Sequence, residues 1–171
     1  MKETVQTAIG DQIREELYSA YFYLSAASYF ESISLTGFAG WMRQQSQEEI
    51  SHAMKLFDFV HDRGSRVVLQ AIPQPPHEFT SPLDAFSSAL EHERKVTARI
   101  NQLYALAMRE QDYPAQILLQ WFISEQVEEE KSTSQLVEEL RMIGDDSSAL
   151  LLLNNSAAAR RSETPTPPTA S

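Results

Sequence analysis

Ser65-Arg66-Val67-Val68-Leu69-Gln70-Ala71-Ile72-Pro73-Gln74-Pro75-Pro76-His77-Glu78-Phe79-Thr80 separates two long helical stretches and decides how they are arranged. Pro73, Pro75 and Pro76 keep it from being helical throughout, because proline lacks a backbone N–H and clashes with the preceding turn. These 16 residues, at about 3.3 Å each when extended, can run the length of a helix. The helices on either side can therefore lie parallel. Apolar residues recur at helical spacing along both flanks. A first helix is predicted from about Lys2 to Ser32, and a second from near Gly37 to Gly64, a good residue for a left-handed helix end. A third begins at Ser81-Pro82, a cap followed by proline at the first helical position, and reaches about Arg109. A fourth begins at Asp112-Tyr113-Pro114 by the same logic and stops at Gly144. Each helix is then about 40–48 Å long. The first and second, and the third and fourth, are joined by short loops and must be antiparallel neighbours. The predicted fold is all-α: a four-helix bundle with one long crossover between helices two and three, followed by a short C-terminal helix over Ser148 to Leu153. Residues 1–153 form the bundle unit, and the Ala/Ser/Thr/Pro-rich stretch 154–171 reads as a tail.

Composition narrows the function. The chain has 171 residues, 42% of them hydrophobic, enough for one domain with a real core. Asp and Glu number 24 against 14 Lys and Arg, a formal net charge of −10. That balance argues against nucleic acid as a partner and suits a protein that handles cations. No cysteine is present, which removes disulfides, thiolate metal sites and cysteine nucleophiles. No apolar run is long enough to span a bilayer, and the start leads into an amphipathic segment rather than a signal-like one. The expected compartment is the cytoplasm, with no membrane partner.

Carboxylates fall where a core should be. A buried unpaired carboxylate is costly, so a cluster of them needs a cation. Glu49-Ile50-Ser51-His52 is the one Glu-x-x-His in the chain, and its spacing puts both side chains on one face of helix two. His61, nine residues further on, is half a turn away and is expected at the surface. Helix one offers Glu15 and Glu16; helix three Glu91, His92 and Glu93; helix four Gln126, Glu128, Glu129 and Glu130. They lie beside the expected core stripe of Ile13, Leu17 and Leu24, of Ala89, Val96 and Ile100, and of Phe122, Leu136 and Leu140. Spacing alone does not select which neighbour points inward.

Taken in order, Glu16-Leu17-Tyr18-Ser19, Gln47-Glu48-Glu49-x-x-His52, His92-Glu93, Gln111-Asp112-Tyr113-Pro114 and Trp121-x-x-Ser124-Glu125-Gln126-x-Glu128-Glu129-Glu130-Lys131 resemble a bacterial non-haem ferritin over about residues 1–153. The resemblance implies an iron-storage protein whose di-iron centre oxidises Fe(II) with dioxygen or peroxide, in a hollow shell of about 24 identical subunits. It assigns Glu16, Glu49 and His52 to a first iron and Glu49, Glu93 and Glu129 to a second. Gln126 would sit beside the second iron, and Tyr23 would match a tyrosine placed next to the centre. Glu48, Glu125 and Glu128 match a further, cavity-facing iron site. Carboxylate and imidazole ligands suit Fe(II) and Fe(III).

Three departures sharpen this expectation. Ser132 stands three residues after Glu129, so helix four lacks a second Glu-x-x-His and the second iron is expected to bind more weakly. Bacterioferritins carry a haem-ligating Met where this chain has Ile50; Met54 is one turn further on, and no haem is expected. Ala115-Gln116-Ile117-Leu118-Leu119-Gln120 lacks the carboxylates that line the three-fold iron channels of animal ferritins. A rubrerythrin would need cysteines, a hydroxylase component a second Glu-x-x-His, and a metal-free bundle would have replaced Glu16, His52 or Glu93.

Overall fold

The computed structural model describes residues 1–160. Five helices follow in order: α1 Glu3–Ser32, α2 Thr36–Asp62, α3 Pro82–Arg109, α4 Tyr113–Ile143 and α5 Ser147–Arg160. No strand occurs among the described residues. The ends follow from local chemistry. Ser81 caps α3 by accepting the Asp84 N–H at 3.0 Å, and Asp84 reaches back to accept the Thr80 N–H at 2.8 Å. Asp112 caps α4 by accepting the Ala115 N–H and also accepts from both terminal guanidinium nitrogens of Arg63, tying the end of α2 to the start of α4. Gly64 closes α2 with φ +69°, a conformation that costs glycine little.

Two apolar clusters fill the bundle. One joins Phe22, Tyr23 and Phe30 of α1 to Phe38, Trp41 and Met42 of α2, Phe86 of α3 and Leu140 of α4. The other joins Ile9 and Ile13 to Leu56, Val60, Ile100 and Phe122. The starts of α2 and α3 share the first cluster, so these helices run parallel, as the crossover length predicts. The crossover lies along α1: Gln6 donates to Arg66 O, Arg14 to Gln70, and Ser25 to Pro76 O.

Two expectations need correction. Leu17 is only half-buried and Leu24 is 45% exposed. The inward face of α1 instead runs through Ile9, Ile13, Glu16, Tyr23 and Phe30, all of which are buried. The remaining expected stripe residues are buried. The last helix also does not stop at Leu153. It continues to Arg160, with Asn154 and Ala157 buried. Alanine is the best helix former, and Gly37 removes the side chain that would block the approach: a Cβ there would lie 1.9 Å from the Asn154 carbonyl oxygen. Asn154 Oδ1 then accepts the Phe38 N–H at 2.9 Å. The rest of the expected tail, residues 161–171, lies outside the described residues.

Candidate metal centre

Between the two apolar clusters lies a belt of buried polar side chains: Glu16 from α1, Gln45, Glu49 and His52 from α2, Glu93 from α3, and Gln126 and Glu129 from α4. The alternatives left open by spacing are now decided. Glu15 turns outward to Arg14 and Arg99, and Glu91 to Lys95, while Glu16 and Glu93 turn in. His92 stays between α1 and α3, 2.7 Å from Ser19 Oγ and stacked on Phe22. Glu129 turns in; Glu128 pairs with Lys131 at the surface, and Glu130 accepts from Thr97 at 2.6 Å. His61 is exposed.

Glu16, Glu49 and His52 each bring a ligand atom within 4.8 Å of one another. Glu16 Oε2, Glu49 Oε2 and His52 Nδ1 are buried and have no hydrogen-bond partner. His52 Nδ1 and Glu49 Oε2 stand 3.4 Å apart. Buried polar atoms normally find partners, and three unmade bonds at one point are what a cation would satisfy. The ring of His52 is held edge-on by Trp121 and Phe122.

Glu93 and Glu129 face the same belt with their oxygens already engaged. Tyr23 donates its hydroxyl to Glu93 Oε1, and Gln126 donates to Glu93 Oε2 at 3.1 Å and to Thr97 Oγ1 at 3.2 Å. Gln45 donates to Glu129 Oε2 at 2.9 Å. Glu125, half-buried, approaches His52 and Glu129 within 4.8 Å. Of the expected trio, Glu125 reaches the belt, Glu128 pairs with Lys131, and Glu48 accepts from Gln45 at 3.2 Å.

The electrostatics follow from burial. Desolvation pushes Glu16 up to about 7, an effect that hydrogen bonding with Glu49 and Gln12 partly offsets. Burial and the charge of Glu93 push Glu49 and Glu129 well above the usual carboxylate range. Burial raises Glu93 too, against the pull of Tyr23 and Gln126. Desolvation lowers His52 to about 4, which keeps its imidazole neutral and able to ligate. Without a cation, the belt holds protons; a divalent ion can take their place.

Spacing reasoning missed Gln12 and Gln45. Each stands four residues before an acid of the belt, Gln12 before Glu16 and Gln45 before Glu49, and so shares its face. Gln12 donates to Glu16 Oε1 at 2.9 Å. That i, i+4 relation was the available signal.

Fold and site together define a four-helix bundle with a core belt of carboxylates and one imidazole. The Ferritin-like domain family matches residues 6–143, and the chain belongs to that family. It is 38% identical to the bacterial non-heme ferritin of Staphylococcus haemolyticus, over 81% of this chain and 83% of that one. It is likewise 38% identical to the bacterial non-heme ferritin of Bacteroides fragilis, over 85% of this chain and 91% of that one. The solved open-pore ferritin of the archaeon Archaeoglobus fulgidus superposes with a TM-score of 0.92 at 52% identity, over 94% of this chain and 99% of that one.

Proposed function

We propose that this chain is the subunit of an iron-storage ferritin that oxidises Fe(II) to Fe(III) with dioxygen or peroxide and stores the product as a ferric oxyhydroxide mineral in a hollow cytoplasmic shell. The observation that carries the reading is the convergence of Glu16, Glu49 and His52 on one point with three buried ligand atoms lacking hydrogen-bond partners. Fe(II) is the substrate. Two ferrous ions held near each other supply two electrons to dioxygen, and hard oxygen ligands favour the ferric product.

The chain's own groups do the rest. Glu16, Glu49 and His52 take the first ion, and Glu49 shares the second with Glu93 and Glu129. Neutral His52 adds a nitrogen without adding charge. Gln126 and Tyr23 hold the two oxygens of Glu93 and must yield at least one of them when the second ion binds. With one atom of each first-position ligand open (Glu16 Oε2, Glu49 Oε2 and His52 Nδ1) and both Glu93 oxygens hydrogen-bonded, the first ion binds more tightly than the second. Tyr23, joined to Glu93, is also placed to supply an electron and a proton. Glu48, Glu125 and Glu128 are the residues of a further, cavity-facing iron site beside the centre. No haem is needed for this chemistry.

The test is an aerobic Fe(II) titration of the metal-free protein beside Glu49→Ala, followed by ferric absorbance. Rapid oxidation saturating near about two Fe per subunit, and lost in the variant, is the expected result. Equal rates in both overturn it and leave a passive acidic shell.

A further inference from the structure

Gln45 is fully buried, stands one turn before Glu49 on α2, and is absent from the ligand set derived above. Its Nε2 donates to Glu129 Oε2 at 2.9 Å across the bundle and to Glu48 Oε2 at 3.2 Å along its own helix. In this orientation one amide nitrogen serves an oxygen of each acid. Its Oε1 is buried and has no hydrogen-bond partner. The side chain is thus held only through its nitrogen, between the buried Glu129 and the half-buried Glu48.

A carboxylate oxygen that accepts an N–H bond gives less electron density to a metal, and the bond must be loosened before that oxygen can ligate. Glu16 accepts an amide N–H as well, from Gln12 at Oε1, but Glu16 Oε2 and Glu49 Oε2 carry no such bond. The two iron positions therefore differ in more than the missing second histidine. At the second position alone, the amide that holds a ligand oxygen also donates to an outer acid, Glu48.

We propose that Gln45 is a positioning residue that keeps the second iron position weak and exchangeable: it holds Glu129 through Oε2 and ties it to Glu48. This rests on the assignment of Glu129 to the second iron. A buried neutral amide of this kind sets the difference between an iron that stays and an iron that moves on to store. The same donor can follow the carboxylate that is losing its metal and release the one that is gaining it.

The experiment is an anaerobic Fe(II) titration by calorimetry on wild type, Gln45→Met and Gln45→Asn. Methionine keeps the volume without the donor; asparagine keeps the amide but is one methylene too short to reach Glu129. Wild type should show two classes of site. In both variants the second class should tighten about tenfold while the first stays unchanged, the first serving as the internal standard for correct folding. Recovery of rapid oxidation after one saturating round of iron should slow in parallel. A second class that is unchanged or weaker beside an intact first class overturns the proposal, since it would make Gln45 a support for Glu129 rather than a brake on it. A single class in wild type, or two classes surviving in Glu49→Ala, instead overturns the di-iron reading itself.

Discussion

Glu16 shows at the level of one residue what the metal-free belt costs the fold. Its carboxyl is buried and rises to about 7, whereas an unfolded carboxyl titrates near its ordinary value. A raised folded value means stability that is full at low pH and lost as pH climbs through the folded value. His52 and His92, both lowered to about 4, have the opposite sign: their stability is full above about 6.5 and lost as pH falls toward 4. Above about pH 6.5 the histidines no longer contribute a slope, and the buried carboxylates alone set it. The metal-free protein should therefore lose stability from pH 6.5 to 8. Glu16→Gln, which can still accept from Gln12, should be about 1–3 kcal/mol more stable than wild type at pH 8 and close to it at pH 5. Scanning calorimetry on metal-stripped protein measures both. Saturating divalent metal should reverse the order, because the variant loses a ligand. Equal melting temperatures at pH 8 would mean that the belt carries no buried charge.

At the scale of elements, the docking of α5 on α2 depends on one missing methyl group. A Cβ at Gly37 would sit 1.9 Å from the Asn154 backbone oxygen, which is too close for a side chain to yield. Gly37→Ala should cost about 2–4 kcal/mol or detach α5, exposing Asn154 and Ala157. Gly10→Ala and Gly40→Ala are the controls, since nothing lies within 4 Å of a Cβ at either. Each should stabilise its helix by about 0.5–1 kcal/mol. Hydrogen exchange across residues 147–160 separates the outcomes. Fast exchange in Gly37→Ala alone is expected; protection equal to wild type would mean that α5 is held from elsewhere.

At the scale of the whole molecule, the bundle leaves apolar side chains exposed. Tyr21 and Leu24 of α1 are exposed, and so are Val68, Leu69 and Ile72 of the crossover that lies along the same helix. Leu151 and Leu152 of α5 are also exposed, although Leu150 and Leu153 pack inward. Patches of this kind mark interaction surfaces. In the proposed shell they lie between subunits. Leu24→Arg combined with Leu69→Arg should break the assembly into smaller species, measured by light scattering after size exclusion. The fold and the first iron position should stay intact, since neither residue belongs to the core. An assembly unchanged in mass would place the contacts elsewhere.

Helix positions, caps and the parallel course of α2 and α3 were legible in the chain because they depend on local chemistry and reach: Ser81-Pro82, Asp112-Tyr113-Pro114, Gly64 and the proline-rich crossover. Glu49 and His52 were legible because residues three apart on one helix share a face. Which of Glu15 and Glu16, or of Glu128, Glu129 and Glu130, turns inward was not settled by spacing, since adjacent residues differ by only about 100° around a helix and the apolar stripe is wider than that. The register of α1 against the other helices decided it, and the same register left Leu24 outside. Helix α5 past Leu153 was hidden by its composition, which reads as a tail until Gly37 brings a partner within reach. The engagement of Glu129 by Gln45 belongs to tertiary structure alone, because it joins residues on two helices whose rotation about their axes no local signal records.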